Sequence, residues 1–324
     1  MSRLSLVFAC GAEAFEPLWD GTVQLDGIDL TFVRQHAIPE RHRRMVEEQE
    51  FDLCEYSLGN YLTGFPLGLP FTAVPIFPAR RFRQSYVWVS RAAGIDAPEQ
   101  LAGKRIGIAM WSNSALLWHR AFLQHDYGLD LASPEWVSDR PDVPGYKPPA
   151  WARIRHAPPG ATLEGLLARG TVDAVLLPTP PRWEPGDEAH VRRLFPDYVS
   201  VEQDYFRHTG IFPPMHTVVI KHRVLAEHPW VADSVYEGLA RMLDVYVERR
   251  RAANAPSAVW PDLTWAEQEA VLGPQPWASG LAANRATLPA AIGYAVEQGL
   301  IAERMDPEAL FQFEGRALAG SAVS

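Results

Sequence analysis

Short apolar strands that end in polar turns and run straight into helices recur along this chain. That alternation constrains its fold more than any single residue does. Residues 105–109 read as a strand, 111–114 as a Ser/Asn turn and 115–125 as a helix. Residues 51–57 read as a strand whose last member, Ser57, can cap a helix starting near Leu58. The apolar run 170–177 ends in a proline-rich turn at 178–181. Further strands are expected at 4–9, 86–90 and 217–220, and further helices at 163–168, 230–251, 265–272, 288–298 and 307–313. Residues 22–32 read as a short hairpin around Gly27, and the charged run 39–49 as a solvated helix face. The whole is an α/β pattern, and 324 residues suffice for two domains.

In open α/β sheets ligands bind beyond the carboxyl ends of the strands, so the polar turns are where a site is expected. Trp111, Ser112, Asn113 and Ser114 stand at a helix start, where free N–H groups and the helix dipole suit an anion. N-capping alone would explain the same residues. Thr179 occupies the turn after 170–177 and Ser57 the turn after 51–57. Glu55, near the end of the latter strand, reads either as a ligand contact or as a cap or surface charge.

Three arginines fall within four positions, Arg80, Arg81 and Arg83, between the apolar run 71–77 and the strand at 86–90. A guanidinium is a planar, permanently charged fork that matches a carboxylate. Arg80 and Arg83, with Ser85 beside them, are therefore candidates to hold an acid, against the plainer reading of a solvated basic turn. The formal net charge of −9 argues against a nucleic-acid or anionic-membrane partner, which makes a local basic cluster point to a small anion. Eleven Trp and ten Tyr could fill a core or line a pocket equally well. The two cysteines, Cys10 and Cys54, read as reduced core residues. The N-terminal residues read as a first buried strand rather than a leader, so a cytoplasmic protein is expected. Histidines are scattered without metal-ligand spacing, so no zinc site is expected, and no residue pattern calls for an organic cofactor.

Several segments together resemble the 4,5-dihydroxyphthalate decarboxylase family. They are residues 26–32, 50–58, 76–83, 101–107, 210–213 with His216, 228–231 and 294–300. The most specific is a Phe-Pro-x-Arg-x-Phe-Arg pattern at Phe77, Pro78, Arg80, Phe82 and Arg83. Two places depart from the family pattern: the turn 12–16 holds no arginine, and Gln84 stands where histidine is common. The resemblance implies a two-lobed, type II periplasmic-binding-protein-like fold with a ligand cleft between the lobes. One lobe would comprise 1–89 and 214–324, the other 90–213, with the strands at 86–90 and 217–220 as the crossings.

The function so implied is non-oxidative decarboxylation of a hydroxylated, phthalate-like aromatic acid. Arg80 and Arg83 would hold a carboxylate. His216 would be the general acid or the partner of a ring hydroxyl, because histidine titrates nearest neutral pH, with Glu55 the other candidate. The alternative is a solute-binding protein or cytoplasmic sensor that merely holds a small aromatic carboxylate. Self-association into a homo-oligomer is left open.

Overall fold

The structure is a computed structural model that describes residues 3–34 and 37–311. Its strands fall into two sheets. The first is built from β1 (Leu4–Cys10), β2 (Ile28–Arg34), β3 (Leu53–Ser57), β4 (Phe71–Val74) and, from much later in the chain, β11 (His216–Lys221). The second is built from β5 (Val87–Ser90), β6 (Arg105–Ile108), β7 (Glu135–Ser138), β8 (Arg153–His156), β9 (Ala174–Leu176) and β10 (Val191–Arg193).

The first sheet has the order β2-β1-β3-β11-β4. β1 runs parallel to β2 and β3, and β11 is inserted antiparallel between β3 and β4. The expected hairpin at 22–32 is therefore absent: β2 pairs in parallel with β1, Leu4 opposite Ile28, and Gly27 at φ 72° is a turn before the strand. The second sheet has the order β10-β5-β9-β6-β7-β8, with β9, β6, β7 and β8 parallel and β5 antiparallel to both neighbours.

The two predicted crossing strands each pair within one sheet, β5 in the second and β11 in the first. The chain passes between sheets instead through the irregular stretches 75–86 and 194–215. These stretches meet side by side. Arg80 forms an antiparallel bridge with Pro214, Arg81 N donates to Pro213 O at 2.9 Å, and Met215 N donates to Ala79 O at 2.7 Å. The arginine cluster thus sits on the connection between sheets.

Most of the tryptophans are core. Trp111, Trp118, Trp136, Trp260 and Trp265 are among the largest fully buried side chains. The helix Val231–Ala252 packs on the first sheet's flank, where Ser234 Oγ donates to Asp26 O and Gly238 lies against Leu25. Gln298, just past the helix Thr287–Glu297, bonds Leu117 O, Arg120 Nε and Trp111 Nε1, tying the C-terminal segment to the helix Ser114–His125.

Candidate active site

A cavity of about 550 Å³ lies between the sheets. Its walls come from β3, the start of β11, the crossing at 78–83, the turn 110–115, Pro178 and Thr179, and the short helix Ile38–Arg43.

One wall holds a buried ion network. Glu55 points inward from the middle of β3 and is 1% exposed. β11 pairs antiparallel with β3 and brings His216 alongside, so that His216 Nδ1 meets Glu55 Oε1 at 2.5 Å. The other carboxylate oxygen forms an ion pair with Arg41 Nη2 at 3.0 Å and accepts from the backbone N–H groups of Gly11 and Ala12 at 2.7 and 3.1 Å. Burial pushes the Glu55 pKa up, but Arg41, His216 and the Gly11 amide outweigh it and hold the carboxyl well below its usual range. Glu55 is therefore held as an anion by these partners. It orients His216 through Nδ1 and leaves Nε2 as the nitrogen able to exchange a proton with a ligand.

The opposite character is found at the crossing. Arg80 is 8% and Arg83 1% exposed, and both line the cavity. Their bonds go to neutral groups. Arg80 reaches Phe212 O at 2.8 Å, Ala278 O and the Asn284 side chain; Arg83 reaches Arg81 O at 3.3 Å and Pro178 O at 3.1 Å. Arg80 Nε and Arg83 Nη2 are buried without a hydrogen-bond partner among the described residues. Glu202, near Arg83, accepts instead from Ser85 N and Trp260 Nε1, each at 2.9 Å. Burial lowers both guanidinium pKa values to about 9, which still leaves two cations at neutral pH with no carboxylate bonded to them among the described residues. A buried cation so placed favours an anionic ligand.

No protein-family model matches the chain. It is similar, however, to two curated proteins named 4,5-dihydroxyphthalate decarboxylase. That of Comamonas testosteroni is 31% identical over 321 residues, covering 96% of this chain and 97% of the relative. That of Pseudomonas putida is 34% identical over 215 residues, covering 64% and 83% respectively. The chain belongs to the 4,5-dihydroxyphthalate decarboxylase family. Among solved structures, a periplasmic sulfonate-binding protein of Methylobacillus flagellatus matches at a TM-score of 0.51 and 14% identity, covering 98% of this chain and 94% of the other. The fold is accordingly that of the two-lobed periplasmic binding proteins.

Of the residues singled out in this family member's sequence, the cavity brings together Glu55, Ser57, Arg80, Arg83, Asn113, Ser114, Thr179 and His216. Three others lie outside its lining. Ser85 lies in the middle of the turn before β5 and its amide is bound to Glu202. Trp111 packs edge-on against Trp136 and Trp151 under the Arg120 guanidinium. Ser112 is fully buried, its Oγ donating to Asn60 Oδ1 and its amide to Asp142. The helix start at 113–115 is itself heavily engaged. Asn113 caps Leu116 N, and Ser114 Oγ bonds Ser57 Oγ at 2.8 Å and Met215 O at 2.6 Å. These hydroxyls join the sheets, so capping and packing explain that turn without an anion.

Sequence reasoning missed Arg41, His42, Tyr246 and Trp277, all of which line the cavity. The run 39–49 is only half a solvated face: Glu40, Arg43, Glu47 and Glu48 form surface ion pairs, while Arg41, His42 and Met45 are buried. Positions 41, 42 and 45 share one helical face, and Met45 among charges was the available signal. Among the described residues, no group of three or more His, Cys, Asp or Glu side chains is placed to hold a metal ion.

Proposed function

We propose that this family member releases CO₂ from a hydroxylated phthalate, the diacid named for its relatives, and that two sets of side chains facing the cavity divide the work. The observation that carries the reading is a pair of buried arginines, bonded to no carboxylate among the described residues, facing the same cavity as a carboxylate-held histidine. Arg80 and Arg83 hold a substrate carboxylate. His216, in its protonated form, delivers the Nε2 proton to the ring carbon bearing the departing carboxylate. The C–C bond then breaks, its electron pair returns to the ring, CO₂ leaves, and neutral His216 is reprotonated from solvent. Glu55 stabilises the imidazolium before transfer and fixes the ring throughout. Tyr246 and Trp277 supply flat apolar surface for the aromatic ring. We assign one lobe to each sheet, divided at the crossings 75–86 and 194–215 rather than at 89 and 213 and hinged where the two crossings pair, so that closure would exclude water from the acid.

A protein that only binds its ligand would need the arginines but not the Arg41–Glu55–His216 array. Incubating the protein with 4,5-dihydroxyphthalate and measuring CO₂ together with the dihydroxybenzoate formed tests the proposal. Equimolar release of both is expected. Saturable binding without either product would overturn it in favour of the binder.

A further inference from the structure

His42 faces the cavity from the helix Ile38–Arg43 and has no part in the chemistry above. Its ring stands 5.4 Å from that of His216, centroid to centroid, at 82°, and 4.7 Å from that of Tyr56. It is 8% exposed, and its Nε2 is buried with no hydrogen-bond partner among the described residues. The two histidines are neighbours with opposite surroundings. His216 is bonded to an anion. His42 is held by burial, next by the adjacent Arg41 and then by His216, well below the usual histidine pKa, so it stays neutral. A neutral imidazole carries a lone pair on one nitrogen and accepts a hydrogen bond, and a cavity-wall imidazole whose nitrogen finds no protein partner is suited to a ligand O–H.

We infer that His42 is a specificity-determining residue that accepts a hydrogen bond from a ring hydroxyl of the substrate. This rests on the function proposed above, because it needs a hydroxylated aromatic acid in the cavity. The geometry gives the ring two differently prepared contacts within one histidine pair, His216 for the carbon that gains the proton and His42 for the oxygen. A ligand lacking the hydroxyl would leave His42 Nε2 as it stands, so discrimination between hydroxylated and plain acids should pass through this residue.

The test is a binding cycle on wild type, His42→Phe and His42→Gln with two acids that carry no departing carboxylate, benzoate and 3,4-dihydroxybenzoate, titrated by ligand-observed NMR. Wild type should prefer the dihydroxy acid. His42→Phe should lose roughly tenfold in affinity for it, the size of one net hydrogen bond, while benzoate binding stays unchanged and reports an intact site. His42→Gln, which keeps an acceptor, should recover part of the preference. Equal losses for both acids, or no loss for either, would overturn the assignment of His42. Failure of wild type to bind either acid would instead overturn the underlying reading of the cavity, and the inference with it.

Discussion

Glu55 shows how burial and pairing decide what a side chain can do. A carboxyl 1% exposed would ordinarily be driven towards its neutral form, yet a guanidinium, an imidazole and two amides surround it and keep it charged. From the sequence it read as a ligand contact or as a cap or surface charge, and as acid only second to His216, because nothing local to 51–57 reveals that Arg41 and His216 converge on it. The arginines were legible for a different reason: their spacing and their position before a strand are local facts. His119 illustrates the converse of Glu55. It is fully buried, and burial first, then the Arg83 charge, holds its pKa well below the usual value. Above about pH 6.5, the unperturbed histidine value, folded and unfolded forms are both neutral there and the residue adds no pH dependence. As pH falls below that value the unfolded chain takes up a proton that the folded one refuses, so stability declines. His119→Leu should flatten the fall in unfolding free energy between about pH 6.5 and 5 by up to ~1.4 kcal/mol per pH unit, measured by urea titrations at each pH. An unchanged slope would mean that His119 takes up its proton without unfolding.

At the scale of elements, the decisive contact is between two helix starts. A Cβ on Gly59, in the first turn of the helix Leu58–Gly64, would stand 2.6 Å from Ser112 O and 2.6 Å from Ser114 N, both backbone atoms of the turn entering the second sheet's helix. Only glycine lets these segments approach so closely, and the Ser57–Ser114 hydroxyl pair closes the same joint. Gly59→Ala should therefore cost about 1–3 kcal/mol, in spite of alanine's better helix propensity, and thermal melts would register it. A neutral or stabilising effect would show that this joint is loose. Most strand and helix positions could be read from apolar runs, caps and glycines. β7, β8 and β10 could not. β8 is largely exposed and carries Arg153 and Arg155, and β10 is a three-residue edge strand with Arg192 and Arg193, so neither has the burial that would write a period into its sequence. The parallel pairing of β2 was also hidden, since a glycine between two apolar runs is as good a signal for a hairpin as for a loop.

At the scale of the molecule, the two-sheet architecture and its cleft followed from the resemblance spread over the chain. The insertion of β11 between β3 and β4 is what turns that architecture into a site. It carries His216 back across more than 150 residues to Glu55, a separation no local pattern reports. The central claim is that binding and proton delivery reside on different side chains facing one cavity. Steady-state CO₂ release from 4,5-dihydroxyphthalate by wild type, Arg83→Ala and His216→Gln tests it most directly. The account predicts that Arg83→Ala chiefly weakens binding, by roughly 1.5–3 kcal/mol as a lost charge-assisted hydrogen bond, seen as a raised KM. It predicts that His216→Gln lowers kcat by about 10²–10⁴-fold with little change in substrate affinity. A His216→Gln enzyme that turns over at the wild-type kcat would contradict the account.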